Sequence, residues 1–473
     1  MACALLFTAL NPTTTFAQHD IAPGNQSLTT SGTAGPAHTK PIPHVSFDGA
    51  ALEFDFPEVR IGVAEYEEGP TGTTVLYFPQ RVKAAVDVRG GGPGTVDTDV
   101  LRLAYDESFV NAIVLSGGSS YGLSAVTGVA NAIRDAMTDP GSPQNVAVVP
   151  GAIVFDLGDR RFNTITPDDE LGRAAFKSLR TGWCPLGARG AGRFVETGAF
   201  FGPQQHSGQG AAFRQSGETK VLVVTVINAD GLIVDRAGQV VRCADSVNGK
   251  CSSIADMFSA HLRSLANKKQ ADAHTPAHQG LTSNTTITAV VTNRALPFWA
   301  LQRLAVEVHT SMARGIQPYS MSDDGDVLFA ATTAQAKPSD ISDEELSELG
   351  VLASETAWDA ILASVPGLPP ETPRTNVTLS SAALDRIVGH YAFAPDAMAE
   401  LRRSGAVLEI ELTGRTTDYL AAGHPVMLSP VTTDEFELAG PRRDRLRIDR
   451  DIRGMVVGIT LNPGPWAVQA VRK

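Results

Sequence analysis

The sequence predicts a mixed α/β protein, sheets covered by helices, with a smaller β-rich domain at its C-terminal end. Three observations carry this. First, strand-like and helical runs alternate from about residue 52 to 365 without a strict β-α-β rhythm. Second, "ASVPGLPPETPRTN" interrupts that pattern with closely spaced prolines, marking residues 366–376 as a linker. Third, residues 377–473 break into short strands separated by turns, such as "LEIELTG" and "MVVGITL".

At 473 residues the chain has room for two or three domains, each with its own core. Apolar residues make up 43% and charged residues 19%, an ordinary globular composition rather than a disordered one. A formal charge of −12 argues against a nucleic-acid partner, which needs a basic face, and leaves room for cationic substrates. The opening "MACALLFTALNPTTTFAQ" has an apolar run and a small-residue site at Thr15-Phe16-Ala17. It reads either as a signal peptide over residues 1–18 or as an artefact of start-site choice. Export would make the protein periplasmic or secreted; otherwise it is cytoplasmic. Residues 19–46, rich in Pro, Gly, Ser and Thr, read as a flexible lead-in. No other segment has the roughly 20 apolar residues of a membrane span.

Within the larger region, "VLVVTVINADGLIVDRAG" reads as a strand, an Asn-Ala-Asp-Gly turn and a second strand. In "PFWALQRLAVEVHTSMARGI", Leu301, Leu304, Ala305, Val308 and Met312 recur at helical spacing, and Gly315 ends the helix. Cys243 and Cys251 flank the polar loop "CADSVNGKC" and either pair or stay as buried thiols. No further His or Cys falls at ligand spacing, so no metal is expected.

Several stretches invite a chemical reading. "SGGSSYG", with Gly117 to Ser120 between a strand and a helix, could cradle a phosphate. It lacks the Lys of a P-loop and the dinucleotide spacing, so tight strand–helix packing is the plainer reading. "DVRGGGPGT" is a second glycine-rich element after Asp87, and with the first it suggests a crowded, backbone-lined cleft. There is no Gly-x-Ser-x-Gly elbow and no Ser-x-x-Lys pattern. His309 sits on the predicted helix as a packing residue rather than a base. Asp324 and Asp326 in "SDDGD" fall short of a calcium loop and otherwise read as a turn before the strand "VLFAATT". In "SNTTITAVVTN", Asn284-Thr285 precedes an alternating β-branched run. A Thr hydroxyl is a weak nucleophile unless a base sits beside it, and a free α-amine on the same residue is such a base. That amine would exist only if the 284–285 bond were cut.

Taken together and in order, "DVRGGGPGT", "LSGGSSYGLSAVTGV", "IVFDLGD", "INADGLIVD", "NTTITAVVTN" and "DDGDVLFAATT" resemble the N-terminal-nucleophile amidases. That family includes β-aminopeptidases, L-aminopeptidase/D-amidase-esterases and nylon-oligomer hydrolases. "FDFPEVRIGVAEYEEGPTGTTV", "GQGAAFR", "IVDRAGQVVR" and "ARGIQPY" are similar to the nylon-oligomer (6-aminohexanoate-oligomer) group in particular.

The resemblance implies an αββα sandwich spanning residues 47–365, self-cleaved between Asn284 and Thr285 and assembled as a homotetramer. It implies Thr285 as nucleophile, Asp324 and Asp326 as the acidic pair that orients its amine, and Asn228 as an oxyanion donor. The substrate would be a small oligoamide or peptide, with no cofactor. Two positions depart from the nylon-hydrolase pattern: Phe155 stands where a functional Tyr is expected, and Ala199 where a Lys is. With Phe155 lacking a hydroxyl, Tyr121 becomes the candidate for the missing substrate contact. The tail over 377–473 resembles a small lipocalin-like barrel. Three functions remain open: an amide hydrolase on ω-amino-acid oligomers or short peptides, an acyltransferase with the same nucleophile, and an unprocessed binding relative.

Overall fold

The computed structural model describes residues 40–473 except 104–108, 158–160, 203, 244–250, 272–283, 337–340, 368–376, 415–422 and 441–443. The expected leader over 1–18, most of the lead-in and most of the linker lie outside the described residues.

The larger unit is built on one sheet of ten strands. Its principal strands are β1 (Arg60–Tyr66), β2 (Thr71–Val88), β3 (Phe109–Ser116) and β4 (Gly151–Ile153), followed by β5 (Gln209–Ser216), β6 (Thr219–Asn228), β7 (Thr285–Thr292) and β8 (Val327–Thr332). They run in the order β5-β6-β7-β8-β2-β3-β4, with β1 on the near end of β2. The long strand β2 belongs to both halves. Its residues 83–88 pair with β8, residues 71–77 with β1, and residues 73–77 and 82–83 with β3.

Side chains alternate along these strands, and here both faces are apolar, as strands covered on both sides require. Val82, Ala84, Val86, Leu222, Val224, Ile287, Ala289 and Phe329 share a core with Ile61, Val63, Leu76, Ile113 and Leu115. The two halves of the sheet therefore face each other. The opposite faces meet helices. Val221, Val223, Val290, Leu328 and Ala330 pack on α3 (Phe298–Ser311) and α4 (Asp343–Ala363). Ala64, Val75, Ala112 and Val114 pack on α1 (Leu123–Ala136) and α2 (Asp169–Lys177). Each buried Val, Leu or Ile among them contributes about 1.5–3 kcal/mol relative to exposure. Helix α4 starts at a capping box, in which Ser342 and Glu345 satisfy each other's free amides.

The C-terminal unit is a closed barrel of eight antiparallel strands, β9 (Gly389–Ala394) to β16 (Val468–Arg472). Its interior, filled by Tyr391, Leu401, Ile410, Phe436, Ile448 and Ile459, continues into Phe162, Ala188 and Phe194 of the larger unit. The Trp466 indole stacks on His206 at 4.1 Å between centroids and 4° between planes. Cys243 and Cys251 are joined by a disulfide, and Cys184 is a buried free thiol. Among the described residues, no helix is long and apolar enough to cross a membrane.

Candidate active site

The antiparallel register of β6 and β7 places Asn228 directly across from Thr285. Both are first or last residues of their strands, so chemistry-bearing side chains end up where the sheet opens into loops. Asn284 and Thr285 are each only 1% exposed, and Asn228 is fully buried. The Thr285 hydroxyl lies against the peptide bond that precedes it, with Oγ1 2.5 Å from the Asn284 carbonyl oxygen. The same oxygen accepts the Gly325 N–H at 2.9 Å. A hydroxyl and a fixed amide donor therefore converge on one carbonyl oxygen, an arrangement of donors suited to negative charge on that oxygen.

Gly325 is needed for this approach. A Cβ there would fall 2.6 Å from Thr285 Oγ1 and 2.8 Å from the Gly92 carbonyl oxygen. The glycine run 90–92 has a related cause. A Cβ on Gly90 would stand 2.2 Å from the Asp326 amide nitrogen, and one on Gly91 2.0 Å from the Ser322 carbonyl oxygen. This run therefore braces the 322–326 loop by close backbone packing. "SGGSSYG" is likewise a packing element: a Cβ on Gly117 would meet Asp156 Oδ2 at 2.4 Å and Thr71 Oγ1 at 2.5 Å. Asp156 is buried and accepts from the Gly118 N–H at 2.8 Å and from Thr71 Oγ1 at 2.6 Å. Arg161 Nη2 pairs with it at 3.0 Å, so the buried charge is compensated.

The two aspartates differ in their surroundings. Asp326 accepts the Thr286 N–H at 2.6 Å, the Ser320 N–H at 3.1 Å and the Ser320 hydroxyl at 3.2 Å. Asp324 is fully buried, and neither of its carboxyl oxygens meets a hydrogen-bond donor among the described residues. Burial raises both carboxyls, but Asp326 is pulled back by His309 and by its donors. Asp324 is pushed up to about 9, first by burial and then by the charges of Asp326, Asp230 and Asp323. Of the two, Asp324 has fewer groups favouring its charged form. His309, fully buried, contacts Asp87 Oδ2 through Nδ1 at 2.9 Å and stands behind this cluster rather than in it.

The structure adds a residue that the sequence presented only as part of a turn. Asp230 is 4% exposed and accepts a hydrogen bond from Asn284 Nδ2 through Oδ1. Burial is the first cause raising it to about 6, partly offset by Asn284. Its presence in "INADGLIVD" was the available signal, but only the fold brings residue 230 to residue 284. Among the described residues, no Lys or Arg forms an ion pair with Asp230, Asp324 or Asp326.

The remaining predicted residues are placed as follows. Asn228 Nδ2 donates to the Phe155 carbonyl oxygen at 3.2 Å, and its Oδ1 accepts the Glu196 N–H at 3.2 Å. Phe155 thus meets the site through its backbone. Ala199 opens a short turn, Ala199–Phe201, whose Phe200 N–H binds the Asp230 carbonyl oxygen at 3.0 Å. Tyr121 is 72% exposed on the turn after β3.

Set beside known proteins, this chain falls in the class of amide-bond hydrolases. It belongs to peptidase family S58, whose model matches residues 54–367. The 6-aminohexanoate-oligomer endohydrolase of Kocuria sp. (strain KY2) is 38% identical over 341 residues, covering 70% of this chain and 90% of the relative. The enzyme of that name from Paenarthrobacter ureafaciens is 39% identical over 321 residues, covering 66% and 85%. An uncharacterized aminopeptidase of Mycobacterium tuberculosis is 34% identical over 306 residues, covering 62% and 85%. Among solved structures, a Burkholderia sp. β-aminopeptidase aligns over 68% of this chain and 89% of its own, with 16% identity and a TM-score of 0.47.

Proposed function

We propose that the chain cuts itself between Asn284 and Thr285 and then hydrolyses amides with Thr285 as its N-terminal nucleophile. The observation that carries this is the convergence of Thr285 Oγ1 and the Gly325 N–H on the Asn284 carbonyl oxygen. In the first step Oγ attacks the Asn284 carbonyl carbon, and the oxyanion is held by the Gly325 N–H. The C–N bond breaks as neutral Asp324 gives its proton to the Thr285 nitrogen and takes up the proton that Oγ loses, so the net transfer is from oxygen to nitrogen. The result is an ester of Asn284 on Oγ. Water hydrolyses it, leaving Asn284 with a carboxylate and Thr285 with a free α-amine.

That amine, of ordinary pKa about 7.7–8.0, then takes the Oγ proton when a substrate amide is attacked and returns it to the leaving amine. Asp324 and Asp326 hold it in place, and Asn228 is suited to assist the oxyanion. The names of the relatives and the uncompensated carboxylates favour substrates bearing a free ammonium. We take these to be 6-aminohexanoate oligomers or related ω-amino and β-amino peptides. Aminopeptidase action on short α-peptides uses the same steps and is the second reading; acyl transfer would replace water with an amine acceptor.

We divide the chain into an amidase domain over 47–365 and a barrel over 377–473, joined by 366–376, with the eight-strand closure expected of a lipocalin-like domain. Assembly into tetramers belongs to the same reading. The Cys243–Cys251 disulfide favours the exported form over the cytoplasmic one. A denaturing gel and N-terminal sequencing test the central claim. Two pieces with Thr285 leading the second are expected; a single intact chain retaining amidase activity would overturn it.

A further inference from the structure

We propose that Asp230 selects the acyl side of the substrate by holding an ammonium group four bonds from the scissile carbonyl carbon, so that 4-aminobutanoyl amides fit best. The proposal rests on Thr285 being the nucleophile.

Thr285 would form two esters. In self-cleavage the acyl group on Oγ is that of Asn284; in catalysis it is that of the substrate. Both esters share the same oxygen and the same Gly325 donor, so a substrate's acyl chain must run where the Asn284 side chain now lies. That site is built and filled in the intact chain: Asn284 is 1% exposed, and its Nδ2 is bound to Asp230 Oδ1.

Counting covalent bonds from the Asn284 carbonyl carbon through Cα, Cβ and Cγ puts Nδ2 four bonds away. A 4-aminobutanoyl group has its amino nitrogen at that same separation. A 3-aminopropanoyl group is one bond short, and a 6-aminohexanoyl group must fold to bring its nitrogen back. The ammonium also improves on the amide it replaces, because a charged donor to a carboxylate is about twice as strong as a neutral one.

Asp230 is equipped for a cation. It is 4% exposed, its Oδ2 makes no hydrogen bond among the described residues, and no Lys or Arg there pairs with it. The other two buried carboxylates are committed elsewhere. Asp326 is bound by Thr286 and Ser320, and the proposed mechanism reserves Asp324 as the proton donor to the Thr285 nitrogen. Once Asn284 becomes a C-terminal carboxylate, repulsion from Asp230 and its neighbours drives it out and empties the subsite.

The test compares kcat/KM of the split wild-type enzyme on four p-nitroanilides: 3-aminopropanoyl, 4-aminobutanoyl, 6-aminohexanoyl and the uncharged pentanoyl. The 4-aminobutanoyl compound should exceed pentanoyl by at least about tenfold and lead the series. In split D230N the ratio of 4-aminobutanoyl to pentanoyl should fall toward one. A split enzyme that turns over pentanoyl as well as 4-aminobutanoyl, or a D230N enzyme that keeps the wild-type ratio, overturns the proposal while leaving Thr285 as nucleophile. A wild-type chain that never splits and cleaves none of the four overturns both. If D230N fails to split, the wild-type series decides.

Discussion

Gly325 and Asn284 are joined by a 2.9 Å hydrogen bond from the glycine amide to the asparagine carbonyl oxygen, on the very peptide bond that the Thr285 hydroxyl touches. Gly90 and Gly91 pack against the loop of Gly325, and the strand pairing sets Asn228 opposite Thr285.

Replacing Thr285 by Ala removes the attacking oxygen while leaving the strand it begins. T285A should run as one chain on a denaturing gel, whereas T285S, which keeps a hydroxyl, should still split. A T285A protein that divides at residue 284 would disprove the nucleophile assignment.

Gly325→Ala puts a methyl group 2.6 Å from Oγ1 and must push one of them aside. Displacements near 1 Å cost about 100-fold in rate, so self-cleavage of G325A should slow by at least that much. Gly92→Ala is the control, because its Cβ meets nothing closer than 3.6 Å. Time courses of splitting for the two variants should separate clearly.

Asp324 carries a proton in the folded precursor that an unfolded chain would release, since its folded pKa lies near 9, far above the ordinary aspartate value. The native state thus binds more protons than the unfolded state between about pH 4 and 9, and stability must fall as pH rises through that window. Asp230, raised to about 6, adds to the fall at its acidic end. Urea midpoints of T285A at pH 5, 7 and 9 should decline in that order, and adding Asp324→Asn should flatten the decline. A midpoint that climbs with pH would contradict the assignment of the proton.

Trp466 is 4% exposed and stacks on His206, whose Nδ1 stands 3.7 Å from Glu196 Oε1. The Glu196 amide in turn binds Asn228. Trp466→Ala should cost about 3–5 kcal/mol by opening a cavity between the barrel and the larger unit. Urea unfolding measures this directly; a loss under 1 kcal/mol would mean the two units barely support each other.

The site residues are legible through the family resemblance and not through local pattern. Read alone, Asn284-Thr285 and the Asp324–Asp326 pair are ordinary turns before strands, and Asn228 is only the end of one. Asp230 does not stand out, since an Asp before Gly in a turn is ordinary and its partner lies 54 residues away. The Gly117 to Ser120 stretch admits a phosphate cradle beside the plainer packing reading, because sequence cannot tell a ligand from another segment of backbone. In the fold, segment 322–326 fills the space beside Gly90 and Gly91, and Asp156 the space beside Gly117. The C-terminal strands were visible as short alternating runs. Their closure into a barrel, and the Trp466 contact, depend on pairings between distant segments that no local pattern encodes.

The order of strands in the main sheet carries one more consequence. Strand β7 and its neighbour β8 follow residue 284, yet they are hydrogen-bonded between β6 and β2, which precede it. A cut at 284–285 would leave two polypeptides interleaved in a single sheet, unable to part without losing both seams. Before the cut, refolding is a one-molecule process independent of concentration; afterwards it is a second-order encounter between fragments, each with unpaired strand edges. The mature protein would then owe its persistence to slow unfolding rather than to the ability to reform.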